Sequence, residues 1–253
     1  MDELKEVQED WFTTWFNSPY YHLLYKHRDY IEAKKFIDNL YQYFRWKRDD
    51  TIMDLACGKG RHSIYLNQKG GYVTGLDLSP QNILFASSFQ NSSLDFAVHD
   101  MREVYYKGGF THIVNLFTSF GYFISEEDNL AVFNSAYENL RPGGYFLIDY
   151  LNPDKVISEL VEGEEKVVDG IKFNIKRKIE DGFIVKEIII RDNGESFYFQ
   201  ERVQILRKEH FEYYFEKVGM KLEKVFGDYN LNHFDINDSD RMIFIAKKPM
   251  HDN

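Results

Sequence analysis

Cysteine is almost missing from this chain: Cys57 stands alone among 253 residues. A single thiol excludes an intramolecular disulfide framework and any cysteine-rich zinc site, and it fits a reducing compartment. Proline is scarce too, with five residues at positions 19, 80, 142, 153 and 249, so no proline-rich linker divides the chain. The opening Met1, Asp2, Glu3, Leu4, Lys5, Glu6 lacks the basic flank and apolar run of a signal peptide, and no membrane-length apolar stretch follows. A cytoplasmic protein that does not act on membranes is expected. Positive charge is also in deficit. Lys and Arg total 31 against 41 Asp and Glu, a net charge of −10, and with no evident basic stripe nucleic acid is not an expected partner.

What is abundant is aromatic surface, 17% of residues with 22 Phe and 18 Tyr. That is enough to pack a core and still line a pocket for an apolar or cationic ligand. Trp11, Phe12, Trp15, Phe16, Leu23, Leu24, Ile31, Phe36, Ile37, Leu40 and Phe44 recur at helical spacings, so two or three N-terminal helices are expected. From Thr51 the pattern changes to short apolar runs at 51–57, 72–78, 94–99, 110–117 and 144–151, separated by helical windows. This is the signature of βαβ units and a mostly parallel sheet. Ser79 with Pro80 starts a helix, and Arg141-Pro142-Gly143-Gly144 stops another and turns the chain. Beyond Pro153, Asp169-Gly170, Asp181-Gly182 and Asn193-Gly194 are hairpin turns at regular spacing. Between them Ile171, Phe173, Ile175 and Ile179 alternate with Lys172, Asn174, Lys176 and Lys178. An antiparallel meander of about four strands with one apolar face is expected, and that face requires a cover. A helix near 208–218 and strands near 221–227 and 241–247 finish the chain.

The chemistry concentrates in Thr51-Ile52-Met53-Asp54-Leu55-Ala56-Cys57-Gly58-Lys59-Gly60-Arg61-His62. A buried strand running into a Gly-x-Gly turn and then a helix lets a ligand approach the backbone closely. The dinucleotide fingerprint would want a third glycine where Ser63 stands, and a P-loop would want Ser or Thr after Gly58-Lys59, so both phosphate readings weaken. The second strand ends at Asp77, an acid placed to accept both hydrogens of a ribose diol. The third ends at Asp100, followed by Met101; a carboxylate there could take an adenine amino group while the thioether packs on the ring. The plainer alternative for each acid is a loop cap.

Taken together, Asp54-Leu55-Ala56-Cys57-Gly58-Lys59-Gly60, Asp77, Asp100-Met101 and Leu140-Arg141-Pro142-Gly143-Gly144 resemble the class I S-adenosylmethionine-dependent methyltransferases. Similarity covers about residues 20–150 and, more loosely, the final strands. Tyr20-Tyr21-His22-Leu23-Leu24-Tyr25 with Arg28, and Asn115-Leu116-Phe117-Thr118-Ser119-Phe120-Gly121-Tyr122, look like small-molecule enzymes of the glycine and sugar-amine N-methyltransferase type. The resemblance implies an α/β Rossmann-like fold with sheet order 3-2-1-4-5-7-6 and an inserted β meander. The division it implies is 1–46 as a helical lid, 47–155 with 207–253 as the core, and 156–206 as the insertion. S-adenosylmethionine would be the cofactor, with S-adenosylhomocysteine as product, no metal, and a small-molecule acceptor. The cofactor-binding residues implied are Tyr25, Asp54, Ala56, Cys57, Gly58, Gly60, Asp77, Leu78, Asp100, Met101, Asn115 and Leu116.

Methyl transfer from a sulfonium needs alignment and a dry pocket rather than an enzyme nucleophile. Cys57 is therefore expected as packing in the glycine loop, and His62, His99 and His112 as structural. Ligands in open parallel sheets bind outside the carboxyl ends of the strands. That rule nominates Tyr122 and His233 as catalytic, and Phe117, Tyr150, Asn152 and Tyr229 as acceptor contacts, with half-buried loop aromatics as the alternative; Tyr20 and Tyr21 are acceptor contacts that the resemblance implies. A neutral amine acceptor would need no strong base, whereas a hydroxyl or ammonium acceptor would recruit His233 first. A non-catalytic S-adenosylmethionine-binding protein, an O-methyltransferase and a nicotinamide-dependent oxidoreductase are the competing readings. The assembly expected is a monomer or homodimer.

Overall fold

Among the described residues three helices precede the first strand: α1 (Trp11–Phe16), α2 (Pro19–Leu24) and α3 (Tyr30–Phe44). The computed structural model describes residues 11–26 and 30–250; Arg28 lies outside them. Pro19 occupies the first turn of α2, and the Ser18 hydroxyl accepts the Tyr20 amide to cap it. The chain forms two compact units. One combines the described part of Met1–Arg28 with Glu159–Ile205, and the other combines Asp29–Ser158 with Leu206–Asn253. Residues 1–46 are thus shared between the units, with α1 and α2 in the first and α3 in the second.

The larger unit alternates strand and helix: β1 (Thr51–Leu55), α4 (Arg61–Gln68), β2 (Tyr72–Asp77), α5 (Pro80–Ala86), β3 (Leu94–Val98), β4 (Phe110–Asn115), α6 (Glu126–Asn139), β5 (Leu140–Leu151) and α7 (Pro153–Ser158). Helical crossovers let these strands associate in parallel in the order β3-β2-β1-β4-β5. Later elements complete the sheet. In the smaller unit come β6 (Gly163–Val168), β7 (Ile171–Glu180), β8 (Phe183–Asp192) and β9 (Glu195–Gln204); the larger unit then resumes with α8 (Lys208–Lys217), β10 (Lys221–Phe226) and β11 (Arg241–Lys247). Strand β11 runs antiparallel beside β5, and β10 antiparallel beside β11, giving a seven-stranded sheet in the order 3-2-1-4-5-11-10. The fold is the expected Rossmann-like α/β arrangement.

Alternation along the strands divides the core into two layers. Ile52, Val114, Leu147, Ile243 and Ile245 pack with Phe36, Ile37 and Leu40 of α3. From the same strands Phe146 and Phe244 meet Phe133 of α6 and Phe211 and Phe215 of α8, with Phe211 stacked on Phe244 at 4.4 Å. Much of the aromatic content is used here. Buried Lys248 donates to the carbonyls of Tyr137 and Leu140 at 2.9 and 3.1 Å, offsetting the negative C-terminal end of α6.

Two strands end earlier than their apolar runs. The run 51–57 stops at Leu55 because Ala56 is left-handed at φ 61°, and 110–117 stops at Asn115 because Phe117 is left-handed at φ 58°. β5 begins at Leu140, before the expected turn at 141–144: Leu140 pairs with Phe110 and the register then shifts around Gly143 at φ 79°.

In the smaller unit both residues of Asp169-Gly170, Asp181-Gly182 and Asn193-Gly194 have positive φ, the geometry of type I′ hairpins. The resulting four-stranded sheet has the order β6-β7-β8-β9. Its register places Phe173, Ile190 and Phe197 in one row and Ile175, Ile188 and Phe199 in the next. The apolar face is covered partly by α1 and α2, with Trp15 4.8 Å from Phe199 and Tyr20 5.0 Å from Phe197. A charged row, Arg177, Lys186 and Glu201, lies across the same face. Glu201 accepts from Trp15 Nε1 at 2.7 Å and from the Tyr25 hydroxyl at 2.6 Å, with Lys186 Nζ 3.4 Å away.

Glu201→Ala should therefore lower unfolding stability by about 1 to 3 kcal/mol, the scale for removing an acceptor from partly buried donors. Denaturant unfolding measures it, and wild-type stability would show that these bonds contribute nothing net. In the larger unit His112 packs among Phe44, Trp46 and Tyr145, and burial depresses its pKa to about 4 against the opposing pull of Asp50. The unfolded chain binds the proton more tightly than the folded one, so stability falls as pH drops from about 6.5 towards 4, at up to about 1.4 kcal/mol per pH unit. His112→Phe should flatten that slope in pH-resolved melting, and an unchanged slope would refute the assignment.

Candidate functional site

The carboxyl ends of β1, β2, β3 and β4 lie side by side because the strands are parallel and adjacent. From β1 the chain leaves through Ala56, Gly58 and Gly60 with φ of 61°, 57° and 78°. Each glycine is required for a different reason. A Cβ on Gly60 would stand 2.7 Å from the Phe96 ring, whereas a Cβ on Gly58 would meet nothing within 4 Å. Gly60 is a packing glycine. Gly58 faces open space in a conformation that side chains resist.

Asp77 at the end of β2 holds this loop. Its carboxylate accepts the Gly58 amide at 2.8 Å, the Ser79 amide at 2.9 Å and Asn82 Nδ2 at 3.3 Å. Burial raises its pKa, and these three bonds oppose the rise. A carboxylate has about four acceptor sites, so capacity remains for a ligand hydroxyl. Asp54 lies fully buried on β1, where it accepts the Ser63 hydroxyl at 2.5 Å and ties β1 to α4. Burial and then the nearby Asp77 push its pKa up to about 6, while the Ser63 hydroxyl opposes the shift. Asp54 is thus a buried link between β1 and α4. Cys57 is packed as expected, with its amide on the Leu76 carbonyl at 2.9 Å. Leu78, by contrast, is an exposed apolar side chain directly after Asp77.

At the end of β3, Asp100 is clamped by Arg102, with Nη2 2.6 Å from Oδ2, and Arg102 also reaches Asp128 at 2.9 Å. Half-buried Met101 follows. Beyond β4, Asn115 is fully buried and donates Nδ2 to the Leu55 carbonyl at 2.9 Å. Its Oδ1 has no hydrogen-bond partner among the described residues. Leu116 is buried, and Phe117 stacks on His62 at 4.8 Å. Burial and then Arg61 depress His62 to about 3, and the Arg61 guanidinium donates to its Nε2 at 3.0 Å. His62 is therefore a neutral structural ring.

Phe117 and Thr118 are consecutive non-glycine residues in the left-handed region, at φ 58° and 57°, a strain of about 1 to 2 kcal/mol each. Buried Asp149 accepts the Phe117 amide at 2.7 Å, Arg241 Nε at 2.8 Å and the Tyr229 hydroxyl at 3.2 Å. Neither Asp149 nor Arg241 emerges from sequence patterning. The available signal was a carboxylate within the apolar run Leu147-Ile148-Asp149-Tyr150.

The acceptor-side candidates separate. Tyr229 packs 4.5 Å from Phe36 and 5.0 Å from Phe117, and burial followed by Asp149 raises its pKa. The Tyr122 hydroxyl donates to the Thr118 carbonyl. Tyr150 and Asn152 are both fully buried. Tyr150 packs 5.1 Å from Phe211 with its hydroxyl against Gly121, and Asn152 Nδ2 bridges the carbonyls of Ile236 and Ser239 at 2.8 Å each. Exposed His233 pairs its backbone with Phe226. Tyr20, Tyr21 and Tyr25 belong to the smaller unit; the Tyr20 hydroxyl donates to Asp192 at 3.0 Å, and Tyr21 packs 5.0 Å from Tyr25.

Comparison with known proteins places this geometry. Residues 52–144 match the family model described as a methyltransferase domain. The glycine/sarcosine/dimethylglycine N-methyltransferase of Actinopolyspora halophila is 26% identical over 241 residues, covering 88% of this chain and 40% of the relative. The dTDP-3-amino-3,4,6-trideoxy-alpha-D-glucopyranose N,N-dimethyltransferase of Streptomyces venezuelae is 31% identical over 101 residues, or 39% of this chain and 41% of the relative. The chain thus spans about two fifths of the length of these curated relatives. Among solved structures, an S-adenosylmethionine-dependent methyltransferase from Clostridium acetobutylicum ATCC 824 superposes with a TM-score of 0.76 at 20% identity, covering 91% of this chain and 96% of that one. The glycine loop thus lies within a stretch that matches a methyltransferase-domain model, and the chain shares its fold with that structure.

Proposed function

We propose that this protein methylates a small-molecule acceptor, at an amine nitrogen, using S-adenosylmethionine and releasing S-adenosylhomocysteine. The observation that carries the reading is the glycine loop: Gly58 is left-handed and open on its Cβ side, and its amide is held by Asp77. Nucleoside-bearing ligands need such close backbone approach beside an acid that can accept ribose hydroxyls. The residues fit the group. Gly58 leaves room for it, Asp77 retains acceptor capacity, exposed Leu78 offers an apolar wall, and the unpartnered Asn115 Oδ1 can accept an N–H donor. When bound, S-adenosylmethionine supplies a methyl group activated on a sulfonium.

What the chain contributes is binding, orientation and exclusion of water. Tyr229 donates its hydroxyl proton to Asp149 and Tyr122 donates to a backbone carbonyl, so both phenols hold their protons. That arrangement suits a neutral amine, whose lone pair attacks without a base. The N-methylating names of the relatives from Actinopolyspora halophila and Streptomyces venezuelae support the same choice. A hydroxyl acceptor would have to recruit exposed His233 instead.

Incubation with S-adenosylmethionine and panels of amines, amino sugars and hydroxyl compounds should yield S-adenosylhomocysteine with the amines. Turnover confined to hydroxyl compounds would reassign the acceptor atom, and tight binding with no turnover would indicate a non-catalytic role. Asp77→Ala should weaken calorimetric affinity for S-adenosylhomocysteine by about 1.5 to 3 kcal/mol, the scale for hydrogen bonds to a charged group. Unchanged affinity in a folded variant would remove Asp77 from the cofactor site.

A further inference from the structure

We propose that Asp149 and Arg241 form a positioning pair, a role that rests on the methyl-transfer reading, which holds the left-handed Phe117-Thr118 turn at the cofactor end of β4. The pair grips both residues of the turn. Asp149 accepts the Phe117 amide on its carboxylate at 2.7 Å and the Thr118 amide on its backbone carbonyl at 3.0 Å. Arg241 spans the same two groups, donating Nε to Asp149 at 2.8 Å and Nη2 to Thr118 Oγ1 at 2.7 Å. Thr118 Oγ1 also accepts the Leu151 amide at 3.1 Å.

The sheet does not require this turn. Pairing of β4 with β5 already ends at Asn115 opposite Ile148. What the left-handed residues accomplish is to set Phe117 flat against His62, the second residue of the helix that leaves the glycine loop, and beside Tyr229. Tyr229 is itself tied to Asp149, and the Arg241 amide donates to the Gly227 carbonyl at 2.9 Å. One buried ion pair therefore joins the end of β4, the end of β5 and the segment after β10. Backbone strain persists only where its surroundings over-determine it, and it clusters at functional sites. Lys at position 241 would keep the charge and lose the planar two-pronged grip.

The test compares wild type, Arg241→Lys and the double variant Asp149→Leu/Arg241→Met, which removes both charges together so that no buried charge is orphaned. Two measurements are made on each folded protein. Amide hydrogen exchange at Phe117 and Thr118 should accelerate at least tenfold in the double variant and less in Arg241→Lys, while the amides of β1 and β2 keep their wild-type rates. The Kd for S-adenosylhomocysteine should rise at least tenfold in the double variant, again with Arg241→Lys between. Unchanged exchange at the two amides overturns the clamp. Fast exchange with wild-type affinity overturns the positioning role and leaves a fold element. Absence of binding by wild type would sink the methyl-transfer reading and the positioning role with it, while the exchange rates still decide whether the clamp exists. Should the double variant fail to fold, Arg241→Lys carries both readouts.

Discussion

A backbone amide leaving the end of a parallel strand has lost its ladder partner and must find another acceptor. This chain meets that constraint twice with a carboxylate. Asp77 takes the amide of Gly58 after β1, and Asp149 takes the amide of Phe117 after β4. Both amides lie in left-handed stretches. The carboxyl edge of the sheet thereby carries two shaped turns, one after β1 and one after β4.

Three acids of this region, Asp54 and Asp149 buried and Asp77 half-buried, are stabilised by different means. Asp54 has the Ser63 hydroxyl, which only partly offsets its burial. Asp77 is bonded by amides and keeps free acceptor capacity. Asp149 is paired with a guanidinium and also accepts a backbone amide and a phenol hydroxyl. Burying a carboxylate is costly unless it is hydrogen-bonded or paired.

In the smaller unit the same accounting explains a charged row on an apolar sheet face. Lys186 and Glu201 are tolerated because Tyr25 and Trp15 of the N-terminal helices satisfy them. Within the segment that resembles small-molecule N-methyltransferases, Tyr20 and Tyr25 are anchored to β8 and β9 through Asp192, Glu201 and Lys186.

The alternation of helix and strand, the three type I′ hairpins, the glycine loop and Asp77 were legible in the residues themselves. Each rests on local chemistry: hydrophobic period, turn propensity, or the space a missing Cβ leaves. Topology nominates Tyr150 and Asn152 for the site, and it locates a strand end without saying which way a side chain points. Tyr150 turns into the aromatic layer of Phe120 and Phe211, and Asn152 turns to the carbonyls near Ser239. The Asp149–Arg241 pair could not be read at all. Its members are separated by 92 positions and meet only because β11 inserts antiparallel beside β5, pairing Arg241 with Leu151. Sequence alone determined the local turns and the loop, since neighbouring residues decide them; only the tertiary structure decided which distant charges converge, since strand order brings them together.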